Sequence, residues 1–75
     1  MKPNYRKRYI VANESGIPFY GQPENGYTYL QAIARVQREI QDCARLFGGN
    51  YADYKTWFLV LDNHFNTVKD AILDY

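Results

Sequence analysis

The stretch TYLQAIARVQREIQDCARLFG, Thr28 to Gly48, decides how the rest of the chain is read. Within it Leu30, Ile33, Ala34, Val36, Ile40, Cys43, Ala44 and Phe47 recur at the spacing of one helical face, an apolar stripe that another layer must cover. Thr28 followed three residues later by Gln31 is a capping-box pattern, in which the two side chains satisfy N–H groups that have no partner inside the helix. Gly48 supplies the left-handed residue that ends it. The sequence therefore predicts a helix from Tyr29 to Phe47, with Gln31, Arg35, Arg38, Gln41, Asp42 and Arg45 turned to solvent.

Working outward, Tyr5 to Ala12 is rich in β-formers and runs into Asn13-Glu14-Ser15-Gly16, a turn signal. Ile17 to Tyr20 reads as a return strand, short and at a sheet edge because Pro18 has no N–H to donate. A loop, Gly21 to Tyr27, leads to the helix. Beyond the helix, Tyr54 to Asp62 (YKTWFLVLD) reads as a third strand. Asn66 then caps a short final helix in which Val68, Ala71, Ile72 and Tyr75 fall on one face. The expected architecture is α+β in the order β-β-α-β-α. A small three-stranded, antiparallel-type sheet of spatial order 2-1-3 packs on the long helix, whose right-handed crossing returns the third strand beside the first.

With 75 residues the chain has room for one core, so residues 1 to 75 are expected to form a single domain. A hydrophobic content of 47% with 23% charged residues excludes a disordered tail, and no run of apolar residues approaches membrane-spanning length. Cys43 stands alone, which excludes an intramolecular disulfide and favours a reducing, cytoplasmic setting. The net charge of +1 is unevenly placed: residues 1 to 45 carry +3 and residues 46 to 75 carry −2. That division suits self-association as well as an external anion.

Alternation along the third strand places Trp57, Leu59 and Leu61 on one face and Tyr54, Phe58 and Val60 on the other, both apolar. A sheet covered by one helix should show water a polar face, so a second cover is required. The C-terminal helix, a second copy of the chain or an outside partner would each provide it. Tyrosine, apolar with a polar tip, suits such an interface. Tyr5, Tyr9, Tyr20, Tyr27, Tyr51, Tyr54 and Phe58 are the candidate partner-contacting residues. The run YRKRY offers a second reading. Tyrosines beside Arg6, Lys7 and Arg8, with Arg35, Arg38 and Arg45 on the helix, resemble in composition the sheet surfaces that bind single-stranded nucleic acid. The plainer account is a strand end kept soluble by charge.

Catalytic chemistry has little to stand on. Ser15, His64 and Asp62 are formally available for a triad, but Ser15 is the only serine and sits in a turn that selects serine for local backbone bonding. Cys43 lies on the apolar stripe, where a thiol acts as a small hydrophobe, and Asp62-Asn63-His64 offers a metal too few ligands. Gly48-Gly49 follows a helix and so does not form a phosphate-cradling loop. The expectation is a non-catalytic interaction module without cofactor, metal, membrane or small-molecule substrate. Its partner is a protein or a second copy of itself, and a weak single-stranded nucleic-acid binder is the alternative.

Overall fold

The computed structural model describes residues 9 to 75; Tyr5, Arg6, Lys7 and Arg8 lie outside that range. The long helix, α1, spans Tyr29–Phe47 with the expected capping box: Gln31 N donates to Thr28 Oγ1 at 3.2 Å, and Thr28 N to Gln31 Oε1 at 3.1 Å. Gly48 ends it at φ 82°, its N–H donating to Ala44 O. The buried stripe is narrower than the sequence suggests, comprising Ala32, Ile33, Val36 and Ile40. Leu30 and Phe47 are exposed. Leu30 lies well round the helix from the Val36–Ile40 direction, and Phe47 lies a turn past the last half-buried core neighbours, Cys43 and Ala44.

Two strands pair antiparallel, β1 (Ile10–Asn13) with β2 (Phe58–Leu61), in the register Ile10 to Leu61 and Asn13 to Phe58. The sheet has two strands among the described residues, and the expected return strand, Ile17 to Tyr20, does not form. Ile17 to Tyr20 meets β1 only at one bridge, Ala12 to Pro18, with Phe19 N donating to Val11 O at 3.2 Å and Asn13 N to Ile17 O at 3.0 Å. Proline withholds the donor that would extend the ladder. Since Ala12 also pairs with Leu59, this segment flanks β1 on the edge away from β2, where the order 2-1-3 would put it. Because β1 and β2 run antiparallel, the handedness rule for parallel crossovers does not apply to the connection through α1.

A side chain stands in for the missing strand. The Gln22 amide accepts from Val11 N at 2.7 Å and donates to Val11 O and Phe19 O at 2.8 Å each, pairing with the β1 edge as a backbone amide would. One step along, Tyr9 and Tyr27 exchange both backbone bonds, at 2.9 and 2.7 Å. The outer edge of β2 is also occupied: Val60 O accepts from Val68 N, and Phe58 O from the Tyr75 hydroxyl, each at 2.8 Å.

Two further expectations are corrected. Tyr54 to Trp57 is not strand but the end of a 3₁₀ turn, Tyr51–Trp57, held at its start by Asp53, whose carboxylate accepts from Asn50 N at 2.9 Å. The final helix is a single 3₁₀ turn, Lys69–Leu73, and Asn66 does not cap it, because its backbone closes the preceding turn onto Asp62.

Alternation along β2 holds. Val11, Phe58 and Val60 join the α1 residues in one core with Tyr54, whereas Ala12 and Leu61 are buried outside that cluster. Ala71 and Tyr75 enter the α1-side core, and the Tyr29 hydroxyl donates to the Asp74 carboxylate. The C-terminal segment thus packs with α1 and not on the opposite sheet face.

Replacing Gln22 by Ala leaves the N–H of buried Val11 without a partner, while Val11 O keeps the Phe19 N–H, and is expected to cost about 1 to 3 kcal/mol in chemical denaturation. Faster amide exchange at Val11 locates the loss. A second outcome concerns alkaline pH. Desolvation, then the bond to Asp74, pushes the Tyr29 phenol up to about 12 from 10.0, so the folded state holds the proton more tightly than the unfolded chain. The stability this contributes is whole below pH 10 and is lost as pH rises through about 12. Tyr29→Phe should therefore reduce the alkaline fall in stability, with one late phenolate transition missing from the absorbance titration.

Candidate partner groove

The loop that closes the β1 edge is also fastened to α1. Arg35 donates from Nε to Glu39 at 2.7 Å, from Nη1 to the Tyr27 hydroxyl at 2.9 Å and from Nη2 to Tyr20 O at 3.3 Å. Its side chain is only 14% exposed, so the charge-assisted bonds to Glu39 and Tyr27 are partly shielded from bulk water, whereas the bond to Tyr20 O is exposed. Gly26 N donates to Pro23 O at 2.9 Å and tightens the loop between its fixed ends.

Facing this loop is the turn after β2, Asp62 to Asn66. Asp62 Oδ1 accepts from His64 N at 2.8 Å and Asn66 N at 3.0 Å, and those donors hold its carboxyl below the usual carboxylate range. The turn carries Phe65 at φ 63°, the one non-glycine residue of the described chain with positive φ, and leaves it 64% exposed. A phenylalanine there is strained by contact between its Cβ and the backbone.

Loop and turn enclose an open groove of about 560 Å³, lined by Ile10, Pro18, Phe19, Tyr20, Pro23 and Phe65, with Gln22, Asn25, Asn63 and Glu24 among its polar groups. Tyr20 is 98% exposed. Among the described residues, Glu24 is the only charged side chain in the lining.

The candidate residues scatter. Tyr20 lines the groove; Tyr9 is half-buried with its ring edge-on to Tyr29 at 5.4 Å, and Tyr27 is held by Arg35. Tyr51 is half-buried, and burial raises its phenol pKa. Tyr54 and Phe58 are core residues, with the Tyr54 hydroxyl donating to Gly48 O. Of the helix arginines, Arg35 is fully engaged, Arg45 pairs with Asp42 at 3.0 Å, and Arg38 makes no hydrogen bond or ion pair among the described residues. Arg6, Lys7, Arg8 and Tyr5 lie outside the described range.

Sequence reasoning missed Phe65 and the groove prolines. The available signal was DNHFN, a turn composition that carries Phe65 next to its last residue. Cys43 is half-buried and desolvation pushes its thiol up, which suits packing better than reactivity. Among the described residues no group of three metal-ligating side chains is assembled, and no helix is long and apolar enough to cross a membrane. The chain matches no protein-family model, no curated protein and no solved structure.

An exposed aromatic in a left-handed turn serves stability poorly. Phe65→Asn, which tolerates that backbone, is expected to leave stability unchanged or raise it by up to about 1 kcal/mol in thermal or urea unfolding. A Phe65 that served mainly as a packing residue would instead cost about 2 kcal/mol or more.

Proposed function

We propose that this chain is a non-catalytic protein-interaction module whose binding surface is the groove between the Pro18–Gly26 loop and the Asp62–Asn66 turn. The observation that carries the reading is the pair of aromatic side chains offered there, Tyr20 at 98% exposure and Phe65 held out on a strained turn. Aromatic anchors beside a concave apolar surface are the side chains that dominate binding energy at protein interfaces.

The neighbouring sheet limits the mode of binding. Among the described residues the β1 edge is filled by Gln22 and Phe19, with Tyr27 on adjacent Tyr9, and the β2 edge by Val68 and Tyr75, so these strands do not offer a partner a free ladder for strand addition. The occupant engages by side chains: an extended segment of a partner protein with apolar or proline residues for the groove. Charge favours a basic flank, because among the described residues Glu24 is the only charged one in the lining. The lone Cys43 fits a reducing compartment such as the cytoplasm.

The test is selection from a displayed library of random peptides, followed by titration of a selected peptide into labelled protein. Chemical-shift changes are expected at the loop and turn, with affinity about tenfold weaker for Tyr20→Ala and reduced for Phe65→Asn. Shifts that map elsewhere, or binding indifferent to both substitutions, would overturn the assignment. Light scattering run in parallel identifies a second copy as the occupant if a dimer forms and Tyr20→Ala dissolves it.

A further inference from the structure

On the α1 side of the same loop lies a second groove, of about 450 Å³, lined by Pro23, Tyr27, Gln31, Ala34, Arg35 and Arg38. Ala34 contributes only a methyl group to that lining, and Pro23 and Tyr27 are its ring-bearing residues.

Its hydrogen-bonding capacity is one-sided. The Gln31 side-chain carbonyl is already used by Thr28 N, the Tyr27 oxygen accepts from Arg35, and Glu39, which neutralises Arg35, is not among the lining residues. What remains is a set of donors. Among the described residues the Gln31 amide NH₂, the Tyr27 hydroxyl hydrogen and the whole Arg38 guanidinium have no acceptor, and none that lines the groove is a carboxylate. A surface of surplus donors with one unneutralised guanidinium is complementary to an oxyanion, and three donor side chains match a group with several oxygens better than one with two.

We propose that this groove binds a phosphate monoester carried on a planar ring, as in a nucleoside monophosphate. Arg38 and Gln31 take the phosphate and the Pro23–Tyr27–Ala34 surface takes the ring. The volume is within the range that holds ligands of that size. The site is separate from the Tyr20–Phe65 groove and stands or falls independently of it, because neither Gln31 nor Arg38 lines that groove.

The experiment is a titration of the full chain, followed by amide chemical shifts at low salt, with inorganic phosphate, adenosine monophosphate and a short oligothymidylate. Adenosine monophosphate is expected to shift the Tyr27, Gln31, Ala34 and Arg38 amides, several-fold more tightly than inorganic phosphate. Arg38→Ala should weaken it about tenfold and Gln31→Leu about threefold, whereas Arg45→Ala, whose guanidinium pairs with Asp42, should change nothing. Both helix positions are exposed, so an unchanged amide spectrum of each free variant verifies the fold. Silence at these amides, equal losses from Arg38→Ala and Arg45→Ala, or binding of the oligonucleotide alone would each overturn the site, the last in favour of an extended strand contact.

Discussion

Everything in this fold depends on how the outer edge of β1 is satisfied. A ribbon of two four-residue strands is marginal by itself, and each unpaired N–H or C=O along its rim costs free energy wherever water is kept out. The chain closes that rim with the amide of Gln22, the N–H of Phe19 and the backbone of Tyr27. A primary amide carries the donor and acceptor of a peptide group on one side chain, so a single residue replaces a rung of a third strand. The loop from Pro18 to Tyr27 is consequently placed by the hydrogen-bonding needs of β1.

Once held there, the loop divides the surface in two. Arg35 ties its ends, through Tyr20 O and the Tyr27 hydroxyl, to the helix that packs the core, while Glu39 balances the charge. Grooves lie on either side, with Pro23 lining both. One is apolar and aromatic, the other rich in donors. The same few bonds that complete the fold therefore define both candidate sites, with no machinery separate from the scaffold.

The aromatic residues divide by the work they do. Tyr54, Phe58 and Tyr75 fill the core that a chain of this size needs, and the tyrosine hydroxyls among them reach backbone carbonyls. Tyr20 and Phe65 contribute little burial, and Phe65 adds backbone strain. Such a cost in a small domain is explicable where the side chain is used outside the fold.

The sequence alone determined α1, because its apolar period, capping box and terminal glycine are local and mutually consistent. It also determined the two-faced character of β2, since alternation follows from strand geometry. The length of the strands was legible only in part: Tyr54 to Trp57 has the composition of a strand, but the local bonds of Asp53 wind it into a turn. The pairing of Gln22 with Val11 was not legible, because a side chain substituting for a strand leaves no periodic mark. Nor was the sharing of one groove by Tyr20 and Phe65, which are distant in sequence and are brought to it by the antiparallel pairing of β1 with β2. Tertiary structure decided which aromatics are core and which are surface, since burial depends on where each element ends relative to its neighbours and not on residue type.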